Sequence, residues 1–475
     1  MKLHVYSAIK KYAEKNPLRL HMPSHNSRGE FVSLYNDAVF DVTEQKFIDN
    51  ERAVSLAEKD VAKILGAKKS FLLSDGATSG VLIMAGVLSR FGKKVIISSS
   101  SHKSVYNGLK LFGLTPLILS EKTAFDLSDL PDADEIERIL KTEKDVAGAL
   151  LTYPDYYGRR FDIKRVSETI KNHGRLFAVD GSHGGHYAFT DGLKYAGEYA
   201  DIWVDSAHKT FPSLNQGAIL NLGNESLIEP AWEYKNVFTT TSPSYLILSS
   251  VEYGVKYMQE TGRNKIKSFS KKIFSSVDKL NAVGLKTECF GDFLKVSLVL
   301  NNLTDKAQAF FENENVFAEM NDGNRLLFMF SPSLSENDAD RFVALAKRFY
   351  AENEEAIKNA YYGDDKITVK ANGVCEKSEM AETFAVKEKT ARQTESHEAS
   401  HTVKSEALNS LDGEYVPLCE AIGRICCESA GSFPPCFPII NSGETVTEIA
   451  VAKLLASDFT FGIMDGKIKV KKQNK

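Results

Sequence analysis

The chain has 475 residues, 43% of them hydrophobic, enough to bury a large core spread over two or three domains. Its formal net charge of −4 argues against a general binder of nucleic acid or other polyanions, while a few local carboxylates would still suffice to attract a basic substrate. The six cysteines show no metal-ligand spacing or disulfide-framework density, and neither a signal peptide nor a bilayer-spanning apolar run is evident, so a soluble cytoplasmic protein with reduced thiols is expected.

Residues 1–50 combine a helical pattern from Tyr6 to Lys15 with a His-, Pro-, Ser- and Asn-rich stretch around Met22-Pro23-Ser24-His25-Asn26. Val54, Leu56, Val61, Ile64 and Leu65 then fit an amphipathic helix that ends at Gly66. Ser70–Leu73 reads as a strand, Ser79–Phe91 as a helix and Lys94–Ile97 as a second strand. Between the first two lies Ser74-Asp75-Gly76-Ala77-Thr78-Ser79-Gly80, a strand-to-helix turn. Glycine lets the backbone approach an anion closely, and Thr78 can add a hydroxyl, so Gly76, Ala77 and Thr78 are candidates for holding a phosphate. Such turns are also common without any ligand. Ser100-Ser101-His102-Lys103-Ser104 follows the next strand. His102 suits either packing on the flat face of a ring ligand or an ordinary surface loop.

Ala147–Thr152, Leu176–Val179 and Ile202–Val204 continue a series of short apolar strands separated by helices, which predicts a mostly parallel α/β sheet. Asp180 falls at the carboxyl end of one of these strands, the edge where α/β proteins place ligands, although a turn or capping role suits it equally. Gly181, Ser182, Gly184 and Gly185 leave room for a planar group. His183 and His186 are ligand contacts or satisfied loop histidines, and with no third ligand at zinc spacing no metal is expected.

The next strand leads into Asp205-Ser206-Ala207-His208-Lys209-Thr210. A lysine flanked by Ser, His and Thr, with an aspartate on the preceding strand, suits pyridoxal 5'-phosphate (PLP): the lysine amine can form a Schiff base with the cofactor aldehyde, and the aspartate can pair with the pyridine nitrogen. Lys209 and Asp180 would reach one ligand from neighbouring strands, with Ser206 and His208 on the phosphate. The hydroxyl cluster Thr239–Ser244, with Ser242 as the candidate, offers a further phosphate contact or a helix cap. A long helix is predicted for Thr241–Met258, strands for Phe293–Leu300 and Leu326–Phe330, a helix for Glu336–Tyr350 and a final strand for Lys467–Lys471. The expected division is an N-terminal segment (1–50), a PLP-binding large domain (51–259), a small α+β domain (260–362), a polar linker (363–410) and a C-terminal domain (411–475).

Together these motifs resemble the ornithine/lysine/arginine decarboxylases of the aspartate-aminotransferase-like PLP fold, over nearly the whole chain. Met22-Pro23-Ser24-His25 is similar to the family's Met-Pro-Gly-His, and Phe40-Asp41-Val42-Thr43-Glu44 to its Asp-x-Thr-Glu. His102-Lys103-Ser104, Ser206-x-His208-Lys209-Thr210 and Ser242-Pro243-Ser244 match further motifs, and Asp180-x-x-His183-Gly184-x-His186 matches Asp-Glu-Ala-His-Gly-Ala-His. Glu420–Arg424, Phe433-Pro434-Pro435 and Gly443-Glu444 resemble the C-terminal domain's signature. The chain departs at Ser24, at Ser98–Ser101 before His102, at Gly181-Ser182 where the family has Glu-Ala, and at Cys436.

The resemblance implies a mostly parallel central sheet with a small α+β domain and a C-terminal α+β decarboxylase domain. It implies Lys209 as the PLP lysine, Asp180 on the ring nitrogen, His102 on the ring face, and loss of CO2 from a basic amino acid in a homodimer or higher oligomer. Glu319, in the setting where the family carries a glutamate, would meet the substrate's distal cation, with Asp41 and Glu44 as further candidates. Arginine is favoured because the short form of the family is often an arginine decarboxylase, and polyamine synthesis is the expected context. Two readings compete: an aminotransferase or lyase that clamps the substrate carboxylate with Arg325, and a non-catalytic relative that binds PLP or a polyamine, favoured by the altered lead-in to His102.

Overall fold

The computed structural model describes residues 1–15, 37, 40–42, 52–119, 130–362, 413–432, 438–455, 457 and 460–472. Met22-Pro23-Ser24-His25, Glu44, the expected linker, Phe433-Pro434-Pro435 and Cys436 lie outside them.

Seven apolar runs form one sheet: β1 (Lys69–Leu73), β2 (Lys94–Ile97), β3 (Thr115–Ile118), β4 (Val146–Thr152), β5 (Leu176–Asp180), β6 (Ile202–Asp205) and β7 (Ala218–Leu222). Their order is β1-β7-β6-β5-β4-β2-β3. Neighbours from β3 to β6 pair in parallel, and only β7 runs antiparallel, to β6 on one side and β1 on the other. Apolar side chains cover both faces, which is why β4 to β6 read as nearly unbroken hydrophobic runs rather than alternating ones. Two strands escaped the sequence pattern. β3 contains Pro116 and β7 contains Asn221; β3 sits at the sheet edge, where a missing N–H is tolerated.

Helix α1 (His4–Glu14) begins the chain and α2 (Ala53–Leu65) ends on left-handed Gly66, as expected. Helix α3 spans Gly76–Leu88, not the expected Ser79–Phe91, because the strand-to-helix turn itself supplies the first helical residues. It is apolar nearly all round and is buried between the sheet and the helix Ile228–Phe238. Gly80 makes that approach possible: a Cβ there would lie 2.6 Å from Val204 Cγ2 on β6. The close seat brings the N-terminus of α3 to the carboxyl ends of the central strands.

Helix α4 (Lys103–Leu111) follows β2, and the four-residue helix α5 (Ala207–Thr210) follows β6. The helix expected over Thr241–Met258 starts only at Tyr245 (α6, Tyr245–Tyr257). Pro243 disfavours helical backbone at Ser242, and Ser244 caps α6, its Oγ accepting from the Ile247 N–H at 3.4 Å.

A second, antiparallel sheet has the order β10-β11-β9-β8, made of β8 (Thr287–Glu288), β9 (Lys295–Val299), β10 (Met320–Asn321) and β11 (Arg325–Met329). The helix expected over Glu336–Tyr350 continues to Tyr362 through an irregular residue, Asn353. Residues 416–470 carry an apolar cluster of their own, built on two small three-stranded sheets. Among the described residues no helix is long and apolar enough to cross a membrane, and no group of ligating side chains could hold a metal ion.

Candidate active site

Parallel pairing of β5 with β6 puts Asp180 and the entry to α5 at one sheet edge. Asp180 is 3% exposed, and its Oδ1 accepts both the Ser182 N–H (3.2 Å) and the Ser182 hydroxyl (2.5 Å). Both Ser182 bonds fall on Oδ1, so neither of them occupies Oδ2. Lys209 Nζ lies 3.1 Å from His183 Nε2. Burial first, then the charges of Lys209 and Lys295, hold His183 well below its ordinary value, so the ring is neutral and Nε2 accepts from the ammonium. Its Nδ1 is buried without a partner among the described residues.

His102 caps α4, with Nδ1 accepting from the Ser104 N–H at 3.2 Å. Burial lowers its proton affinity; the charge of Asp180 opposes that shift and those of Lys209 and Lys103 add to it, so both Asp180 and Lys209 lie within electrostatic reach of His102. The altered Ser98–Ser101 lead-in closes a self-contained turn, with the Ser101 N–H on the Ser98 carbonyl (3.1 Å) and the Tyr106 hydroxyl on the Ser99 carbonyl (2.8 Å).

The N-terminus of α3 has no side-chain cap, which leaves first-turn N–H groups for an anion near Ala77 and Thr78; the Gly76 N–H goes to the Gln216 carbonyl instead. Ser206 is buried at the start of α5, and His208 directs Nδ1 to the Gly217 carbonyl at 3.0 Å. Ser242 is exposed. A nearly buried carboxylate with one oxygen clear of Ser182, a half-buried amine beside a buried imidazole and a helix end without a side-chain cap fit the three parts of PLP: ring nitrogen, aldehyde and phosphate.

The expected substrate carboxylates are more scattered. Glu319 accepts a short hydrogen bond from the Tyr156 hydroxyl, and the Tyr156 ring lies against His183 with centroids 4.6 Å apart. One run of contacts therefore links Lys209, His183, Tyr156 and Glu319. Asp41 is half-buried, and nothing described joins it to that run. Arg325, considered above as a carboxylate clamp, is 9% exposed and donates from Nε to Glu288 Oε2 at 2.9 Å within the small sheet.

Sequence reasoning passed over a second buried cluster. Lys295 Nζ donates to Asp292 Oδ2 (2.9 Å) and to the His183 carbonyl (3.1 Å), while His186 Nε2 and the Tyr187 hydroxyl donate to the same carboxylate at 2.8 and 3.1 Å. This ties the loop after β5 to the small sheet. Burial holds His186 neutral. Burial would also raise the Asp292 carboxyl, but its contact with His186 and then the Lys295 charge keep it well below the usual carboxylate range. A lysine opening an apolar strand was the available signal.

Asp292→Asn leaves Lys295 buried without its counter-charge and is expected to destabilise the fold by about 3–5 kcal/mol at neutral pH, read as a shift in the denaturant midpoint. A depressed folded-state pKa means that the stabilisation is complete above the unfolded value of about 4 and is lost as pH falls below it, so wild type and variant converge in acid.

An α/β protein with a lysine and an aspartate at adjacent strand ends, an imidazole beside them and a free helix end has the site of a PLP-dependent enzyme. The profile for "Orn/Lys/Arg decarboxylase, major domain" matches residues 4–292, and the chain belongs to that family. It is 27% identical to the arginine decarboxylase of Bacillus subtilis (strain 168), over 94% of this chain and 91% of the relative. It is 26% identical to the uncharacterized protein YaaO of the same organism, over 100% and 98%. Lysine decarboxylase A from Pseudomonas aeruginosa shares the fold at a TM-score of 0.75, with 16% identity over 98% of this chain and 80% of that one. The protein is thus a PLP-dependent decarboxylase of basic amino acids.

Proposed function

We propose that arginine is the preferred substrate and that Lys209, Asp180 and His102 carry the chemistry. When bound, PLP supplies an electron-poor ring that takes up the electron pair left as the substrate carboxylate departs as CO2. Lys209 would hold the cofactor through Nζ. Asp180 would hold the proton on the ring nitrogen through the oxygen that Ser182 does not engage, with Ser182 fixing the other. His102 would cover one face of the cofactor ring, and its capping bond to Ser104 sets the orientation of the imidazole. Neutral His183 receives a hydrogen bond from Lys209 and holds the amine at the strand edge. Ala77 and Thr78 would take the phosphate, with Gly76 leaving room for it while its own N–H stays on the Gln216 carbonyl, and with Ser206, His208 and Ser242 as further contacts.

Glu319 would bind the distal cation of the substrate. The observation that carries this reading is the run Lys209–His183–Tyr156–Glu319: Tyr156 fixes the Glu319 carboxylate, leaving lone pairs on both oxygens for a guanidinium or ammonium. The arginine decarboxylase relatives support arginine over lysine and ornithine. We further propose the domain division given above, a homodimer or higher oligomer, and polyamine synthesis as the context.

The test measures CO2 release from arginine, lysine and ornithine by wild type and Glu319→Gln. Arginine is expected to give the highest kcat/KM, and the variant to raise its KM about 10- to 100-fold with a smaller change in kcat. Equal KM values in wild type and variant would remove Glu319 from substrate recognition, and a higher kcat/KM for lysine or ornithine would reassign the substrate.

A further inference from the structure

The family's Asp-Glu-Ala-His pattern carries a second carboxylate directly after the ring aspartate, and this chain has Gly181 there. The space is not left empty. A Cβ built on Gly181 would lie 3.0 Å from Asp205 Oδ1 and 3.0 Å from the Val204 carbonyl, both on the neighbouring strand β6. Asp205 is fully buried, and three donors converge on its Oδ2: the Tyr195 hydroxyl at 2.6 Å, Trp203 Nε1 at 3.2 Å and Asn221 Nδ2 at 3.0 Å. Asn221 is itself held by the Ser70 hydroxyl at 2.6 Å, so the cage extends from β6 across β7 to β1. Oδ1, the oxygen turned toward Gly181, has no partner among the described residues.

We propose that Asp205 is a positioning residue that supplies, from β6, a buried carboxylate in place of the one that the family pattern carries after the ring aspartate and that Gly181 lacks. This inference rests on Asp180 being the partner of the PLP ring nitrogen. Asp205 touches neither substrate nor cofactor in this assignment. It acts through Asp180 and the Gly181-Ser182 turn, whose Gly181 N–H is bonded to the Val204 carbonyl at 2.9 Å. The ionisable groups facing Asp205 are Tyr195 beside it and Asp180 on β5; Trp203 and Asn221 complete its shell without charge. Burial pushes the Asp205 carboxyl up to about 7, offset in part by Tyr195 and Trp203, and the charge of Asp180 pushes the same way. The charge of Asp180 thus reaches Asp205, and a negative charge on Asp205 would in turn favour a proton held at the end of the site that receives the ring nitrogen and the lysine.

The test uses the PLP-loaded full chain and follows cofactor absorbance against pH, together with the PLP dissociation constant. Wild type sets the reference midpoint for the proton held on the nitrogen that joins Lys209 to the cofactor. Asp205→Asn keeps the shape and removes the charge. It is expected to lower that midpoint by about 1 pH unit, because a lost negative charge disfavours the protonated form. PLP should bind about tenfold more weakly. Asp205→Ala is expected to shift both further, and the exchanged pair Gly181→Glu with Asp205→Ala to recover most of the midpoint and the affinity. A midpoint unchanged in Asp205→Asn, or an exchanged pair no better than Asp205→Ala, would overturn the assignment; a lowered unfolding temperature with an unmoved midpoint would mean that Asp205 is structural. Wild type without any lysine-bound cofactor band would instead bring down the reading of Lys209 and Asp180, and this inference with it.

Discussion

Lys209→Ala is expected to cut CO2 release by at least about a thousandfold for every basic amino acid, while the protein remains folded and still takes up PLP. The chemistry requires an amine at this point, and the described site brings no second lysine to the same end of β6: Lys295 is fully buried between Asp292 and the His183 carbonyl. Stability should change little, because Lys209 is only half-buried and alanine favours the helical backbone of α5. The substitution has a second, independent consequence. Lys209's charge is one of the influences that keep His183 neutral, next after burial. Its removal lets the proton affinity of His183 rise without reaching its ordinary value, since burial and Lys295 remain. An NMR titration of the histidine ring in the cofactor-free variant would show this. Retained turnover in Lys209→Ala would move the covalent role elsewhere; an unmoved His183 would contradict the contact on which the site is built.

Much of the large domain was legible because its rules are local. Apolar runs between helices gave five of the central strands, and the ligand-bearing edge of a parallel sheet singled out Asp180 and the segment after β6. What could not be read depends on contacts between distant segments. Asp292 meets His186 across 106 positions, and Tyr156 meets Glu319 across 163, so no window of sequence contains either pair. Asp205 is a sharper case. It stands immediately before the lysine motif and was in plain view, yet the role proposed for it comes from Gly181, just past the end of the adjacent strand, and from donors on three other residues. β7 was hidden for a related reason: Asn221, polar in the pattern, is buried because Ser70 and Asp205 satisfy it. The helix boundaries moved where a turn residue decided them, Gly76 by joining the helix and Pro243 by refusing it.

Asp180→Asn is expected to lower kcat by on the order of a hundred- to ten-thousandfold, with PLP still bound. The asparagine side chain can keep an oxygen toward Ser182, which now fixes Oδ1 through two donors, so the turn and its geometry survive. That arrangement turns the new amide nitrogen to the open side, where Asp180 presents Oδ2. A donor in place of an acceptor cannot hold a proton on the ring nitrogen, and without that proton the ring accepts electrons less well, so the loss falls on the chemical step rather than on binding. Equal falls in kcat and kcat/KM would mark this, whereas a raised KM at constant kcat would place Asp180 in substrate binding. A cofactor-free control checks the geometry on its own. Asp180 raises the proton affinity of His102 against the effect of burial, so removing its charge leaves burial, Lys209 and Lys103 unopposed, and the His102 titration must move further down. If it stays where it is, Asp180 and His102 do not share one space, and the imidazole cannot cover a ring whose nitrogen Asp180 holds.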